Sequence, residues 1–187
     1  IVDQREIGLD THSFGNALRN AMREAPDVIA IGEIRDFESL RYALAYAETG
    51  HLCLATLHAS NAHQTLERIL NFHDQQHHAQ VLLDLSLHLK AIISQRLLRT
   101  IDGARVPAVE VLINTPHIAE LIQSGRIDEI GDAISQYNQN GACSFDQSLF
   151  RLWKEGSISK EEALTHADSR ANLALKFRLD NDTDAQP

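Results

Sequence analysis

The stretch from Val28 to Leu57 constrains the fold more than any other part of the chain. It opens with a continuous apolar run, Val28-Ile29-Ala30-Ile31-Gly32. The length and branched content of this run suit a strand buried on both faces. Between Phe37 and Ala47, Leu40, Ala43, Leu44 and Ala47 recur at helical spacing, and Gly50 supplies the stop. A second apolar run, Leu52 to Leu57, closes the unit. Strand, helix and strand in about thirty residues make a βαβ unit with parallel strands and a right-handed crossover. Such units build the α/β sheets of nucleotide-binding domains.

In a parallel sheet, ligands bind outside the carboxyl ends of the strands. Glu33 follows the first strand at that end, with Asp36 nearby, and His58 follows the second. A carboxylate and an imidazole therefore face one crevice. His51 stands at the opposite end of its strand. At ~3.3 Å per residue it lies roughly 20 Å from His58, so one strand cannot offer both histidines to one metal. His51 is a turn or packing residue, or faces a neighbouring subunit. An acid at the end of an apolar strand is the Walker B arrangement, in which a carboxylate orders the water shell of Mg²⁺ during phosphoryl transfer. The plain alternative is an acid that caps the following helix. Arg35, between Glu33 and Asp36, is a partner of these acids or a solvated surface charge.

Composition narrows the class further. The 187 residues are 43% hydrophobic, enough for one core with a small appendage. The first residue is Ile1, not Met, and the chain is read as a piece of a longer protein. A net charge of −9 opposes a phosphate backbone, so nucleic acid is not the expected partner. Cys53 and Cys143 are far apart and form no CxxC pair, which fits a reducing cytoplasm rather than a disulfide framework. No apolar run approaches the roughly 18–20 residues that span a bilayer. No GxxxxGK[ST] loop occurs, so the chain has a Walker B-like acid without the backbone nest and lysine that cradle phosphate. Either the cradle precedes Ile1 or the chain is not an NTPase.

The remaining elements are coarser. Ser13 to Arg23 reads as a helix capped by Ser13 or Thr11. Asn61 to Phe72 and Ala79 to Arg99 read as helices, the second with a stripe from Val81 to Leu97. Arg96 and Arg99 at its end reach phosphates or favour the helix C-terminus electrostatically. Asp102-Gly103 marks a turn, and Pro107 to Ile113 reads as an edge strand with Val109, Val111 and Ile113 on one face. Past Pro116 come short helices, Ile118–Ser124, Ile127–Gln136, Phe145–Lys154 and Lys160–Ala167, separated by Gly125, Gly141 and Gly156. His73, His77 and His78 read as a polar helix junction rather than a metal site.

The stretches "VIAIGEIRD" and "AETGHLCLATLHASNA", inside a run from "QREIGLD" onward, closely resemble the secretion and pilus-motor ATPases, in particular the type IV pilus retraction ATPases. The likeness runs on to "FDQSLFRLWKEGSISKEEALTHADSRANL". It implies a Walker B box with Glu33 as its acid and a His box with His51 and His58. The Walker A loop, a further acidic box and a PAS-like domain would precede residue 1. "SQRLLRTIDGARVPAVEVLINT" carries no four-cysteine zinc insert, which favours the retraction branch over pilus-assembly and type II secretion ATPases. "HIAELIQSG", with Ala119 and Gln123 where one retraction motif has arginines, places the chain nearer the PilU branch than the PilT branch.

The fold class expected is therefore α/β: part of a RecA-like P-loop ATPase core over residues 1–115, a small all-helical C-terminal domain over 116–179, and a disordered tail over 180–187. The resemblance implies ATP and Mg²⁺ as cofactors, the ion held through water near Glu33. Glu33 and His58 are the catalytic candidates. Arg35, Asp36, His51 and Arg96 are candidates for nucleotide, Mg²⁺ or inter-subunit contact. A homohexamer, with or without a paralogous retraction ATPase, would dock on an inner-membrane pilus platform protein from the cytoplasm. The rival readings are a non-catalytic ring-forming accessory subunit of a pilus or type II secretion motor, and a DNA-dependent RecA-like helicase or recombinase. Residues 1–187 alone are expected to hydrolyse no ATP.

Overall fold

A computed structural model describes residues 2–137 and 141–184. Helix α1 (Phe14–Ala21) starts at Ser13, whose side chain accepts the Asn16 backbone N–H, and a 3-10 turn (Met22–Glu24) ends it. Strand β1 (Val28–Ile31), helix α2 (Phe37–Glu48) and strand β2 (Leu52–Ala55) form the expected βαβ unit. The strands pair in parallel, Val28 opposite Leu52 and Ile31 opposite Ala55. Gly50, at φ +93°, makes the turn out of α2 that residues with a Cβ rarely adopt.

The strands are not buried on both faces. Ile29 and Ile31 are buried, but Val28, Leu52 and Leu54 are each about half exposed. The register puts Val28, Ala30, Leu52 and Leu54 on one side of a ribbon only two strands wide, and that side is left half uncovered.

Helix α3 (Ala62–Asn71) begins at Asn61, whose side chain accepts the Gln64 N–H. Helix α4 (His78–His88) follows and stops far short of Arg99. Residues Ala91–Arg99 are instead strand β3, which forms an antiparallel hairpin with β4 (Arg105–Ile113) around the Asp102-Gly103 turn. The apolar stripe expected of one long helix is thus shared between a helix and a strand. Ser94 and Leu98 are buried on β3, at the two-residue period of a pleated strand. On β4 the buried residues are Ala108, Glu110 and Leu112, so the expected face of Val109, Val111 and Ile113 is the outer one. The other edge of β4 bridges Cys143 through Val111.

Helices α5 (Pro116–Gln123) and α6 (Ile130–Gln136) pack with α1–α4 and both strands of the βαβ unit in one apolar core that includes Leu66, Leu112, Leu121 and Ile130. Helices α7 (Phe145–Lys154), α8 (Lys160–Thr165) and α9 (Arg170–Asp184) close a second core with Leu98 and Ala108 of the hairpin around Phe145, Leu149 and Phe177. The division of apolar packing therefore falls between α6 and α7, whereas the sequence places a boundary near residue 115. Helix α9 continues to Asp184, which removes the expected tail as far as that residue. The expectation for 185–187 lies outside the described residues.

Candidate functional site

The carboxyl ends of β1 and β2 are tied together before any charged side chain enters. Ile34 N–H donates to the Thr56 carbonyl at 2.9 Å, and the Thr56 hydroxyl donates to the Gly32 carbonyl. These bonds carry the parallel pairing past the last strand residues and hold Glu33 beside the loop that bears His58.

Glu33 then meets two cationic groups. The Arg35 Nε–H donates to Glu33 Oε2 at 2.5 Å, and His58 Nε2 lies 3.1 Å from Oε1. The Glu33 side chain is 20% exposed, whereas Arg35 and His58 are 77% and 79% exposed. The acid is thus fixed and its partners are free to turn outward. The hydrogen bond from Arg35 holds the Glu33 carboxyl below its usual range, helped by the charges of Arg35, His58 and Arg68. Arg68, on α3 with its guanidinium near the Phe72 ring, is a contributor that the sequence pattern did not single out.

The other candidates separate. Asp36 is the N-cap of α2 and forms a capping box with Ser39, which depresses its acidity constant through the Ser39 N–H and hydroxyl. Its carboxylate is committed to the helix, the plain alternative for an acid in this position. His51 stands at the far end of β2, its Nδ1 3.0 Å from the Thr49 hydroxyl and its ring edge-on to Tyr46. Arg96 lies on β3, not at a helix end. It donates to the His166 carbonyl at 2.7 Å and pairs with Asp168 at 2.6 Å, which ties it to the second core and away from Glu33.

The arrangement offers an ionised acid, a mobile imidazole and two guanidinium groups at one sheet edge. The family model described as "Type II/IV secretion system protein" matches residues 7–151. The chain belongs to this family. It is 52% identical over 99% of its length to a Type IV pilus ATPase PilU of Pseudomonas aeruginosa, of which it covers 49%. It is 42% identical over 92% of its length to the PilT retraction ATPase of the same organism, covering 50% of that protein. A crystal structure of the pilus retraction motor PilT with bound ADP superposes with a TM-score of 0.81 at 42% identity, over 90% of this chain and 48% of that one. The chain thus spans about half the length of the curated relatives it matches. Its fold is a partial RecA-like ATPase core with helices appended. Among the described residues no helix is long and apolar enough to cross a membrane.

Proposed function

We propose that the full-length protein is a motor ATPase that couples ATP hydrolysis to type IV pilus retraction. It works as a homohexamer, alone or with a paralogous retraction ATPase. It acts on an inner-membrane platform protein from the cytoplasmic side, and residues 1–115 form the ATPase part. The observation that carries this reading is the pair of Glu33 and His58, 3.1 Å apart at the carboxyl ends of two parallel strands. Its relatives' names, pilus ATPase and retraction ATPase, supply the physiological setting.

Glu33 is held ionised and oriented, ready to accept a hydrogen bond from water at the nucleotide's phosphates. His58 is exposed enough to turn from Glu33 toward the γ-phosphate side. Arg35 and Arg68 offset the negative charge that the polyphosphate brings to the sheet edge. No group of three His, Cys, Asp or Glu able to hold a metal exists among the described residues. One ionised carboxylate nevertheless fits Mg²⁺ that arrives with nucleotide, because that ion keeps several waters and needs only one or two protein carboxylates. Mg²⁺ so bound supplies neutralisation of phosphate charge, and Glu33 would hold it through water. His51, packed on Tyr46, couples subunits or domains instead of touching the reacting atoms.

The test is steady-state ATPase activity of the full-length protein beside Glu33→Gln, with ring assembly followed by light scattering. Turnover should fall about a hundredfold or more with the ring intact. Unchanged turnover in the variant, or none in the parent, would overturn the catalytic reading in favour of a ring-forming accessory subunit.

A further inference from the structure

Glu110 is charged, 4% exposed and absent from the chemistry described above. It projects from β4 into the protein, and its Oε1 accepts the Ala62 backbone N–H at 2.7 Å. Burial pushes its carboxyl above the usual range, so keeping it there carries a real desolvation cost. Capping α3 does not require it. Asn61 already accepts the Gln64 N–H at 2.9 Å, and its own carbonyl accepts the Thr65 N–H at 3.0 Å.

The position of Ala62 explains what the bond does. Ala62 is the first residue of α3, fully buried, and His58 is four residues before it. The loop between them is held at its start by Thr56, through Gly32 and Ile34. Inside it, the Ala59 N–H donates to the Leu57 carbonyl and the Ser60 N–H to the Gln64 side chain. Glu110 holds the far end. Its own strand is immobilised on both edges, by β3 and by the Val111–Cys143 bridge. The Val109 N–H also donates to the buried Ser148 hydroxyl of α7. The bond from Glu110 thus joins the hairpin, already packed on the second core, to the loop that presents His58. A buried carboxylate at a helix N-terminus holds an N–H more firmly than a neutral acceptor does.

We propose that Glu110 is a positioning residue: by fixing the Ala62 amide it sets the His58 loop, and so the Glu33–His58 pair, in register for turnover. This rests on the ATPase reading of the same site and names a residue through which the C-terminal helices bear on it.

The test uses full-length protein, with amide hydrogen exchange over 56–64 and ATP kinetics measured on the same samples. Glu110→Ala should speed exchange over 57–62 at least about tenfold and lower kcat at least about tenfold, with KM for ATP held within about twofold. Glu110→Gln keeps the acceptor and should restore both to within about threefold of the parent. Ala62→Pro removes the donor instead, at a helix position that accepts proline. It should reproduce the loss in kcat while α3 stays protected, and it decides the matter if Glu110→Ala does not fold. Unchanged exchange in Glu110→Ala, or faster exchange with unchanged kcat, would overturn the proposal, as would a Glu110→Gln protein as impaired as Glu110→Ala. If the parent hydrolyses no ATP, the ATPase reading fails separately, and the exchange comparison alone decides whether Glu110 holds the loop.

Discussion

The Arg96 guanidinium lies over the ring of Phe145, its central carbon 3.9 Å from the ring centroid, while its nitrogens reach His166 and Asp168. One side chain from β3 therefore links the first helix of the second core to the segment that leads into α9. Its side chain is 21% exposed, so these bonds are only partly screened by solvent. Arg96→Ala should destabilise this unit by about 2–3 kcal/mol, from the lost charge-assisted hydrogen bonds and the lost ring contact. Arg96→Lys should recover only part of this, because an ammonium group cannot reproduce the planar fork. Trp153 is the chain's one tryptophan and packs on Phe177 in the second core. Its fluorescence in urea reads the effect directly, and a midpoint unchanged by Arg96→Ala would contradict the assignment.

Asp36 and Glu33 look alike in sequence, and substitution should separate them. Asp36→Ser keeps an N-cap side chain and should leave both stability and ATP turnover close to the parent. Asp36→Ala removes the cap and should cost about 1 kcal/mol. Thermal melts and steady-state rates on the same preparations check both arms. Loss of turnover in a well-folded Asp36→Ser protein would return Asp36 to the chemistry.

These two residues also show where sequence reasoning succeeds. The βαβ unit was legible because its strands are uninterrupted apolar runs and its helix has a cap at one end and a glycine just past the other. That placement alone puts Glu33 and His58 at one edge. The hairpin was not legible. Between Val81 and Leu97 apolar residues recur closely enough to satisfy a helix, and neither Gly nor Pro breaks the run. The strand period is visible only in hindsight, through buried Ser94 and Leu98. The outward reading of β4 failed for a related reason: its buried face contains a glutamate and an alanine, while valines fill the outer one. A charged residue on the core side hides the pattern from hydropathy, and so hid Glu110. Arg68 escaped because its bearing on Glu33 depends on how α3 packs across the sheet edge.

Arg35 should control the acidity of Glu33. In the parent the carboxyl is depressed by the Arg35 hydrogen bond, so Glu33 stays ionised below its ordinary value of 4.5. A depressed native value means that the stabilising contribution is present above the ordinary value and is lost as pH falls through the native one. Arg35→Ala should move the Glu33 titration upward toward the ordinary range, with only a small change in overall stability because the pair is exposed. Carboxyl carbon chemical shifts followed from neutral to acid pH measure this. An unmoved titration would mean that His58 and Arg68 suffice without Arg35.

Glu110 should give the opposite pH signature. Burial raises its carboxyl above 4.5 in the folded chain, against the attraction of Arg96 and with the repulsion of Asp146 and Asp168. A raised native value contributes stability that is complete below the ordinary value and is lost as pH climbs through the native one. Glu110→Gln does not titrate and still offers an oxygen to the Ala62 N–H. Its stability relative to the parent should therefore improve steadily from pH 4 to pH 7, whatever its offset at acid pH. Asp146 is raised by its own burial and is present in both proteins, so its contribution largely cancels in the difference. Urea midpoints of parent and variant at each pH give the slope. A difference that stays flat would place the Glu110 carboxyl in its ordinary range, and one that shrinks toward neutral pH would mean that its charge is stabilised by Arg96 and the N-terminus of α3 more than burial penalises it.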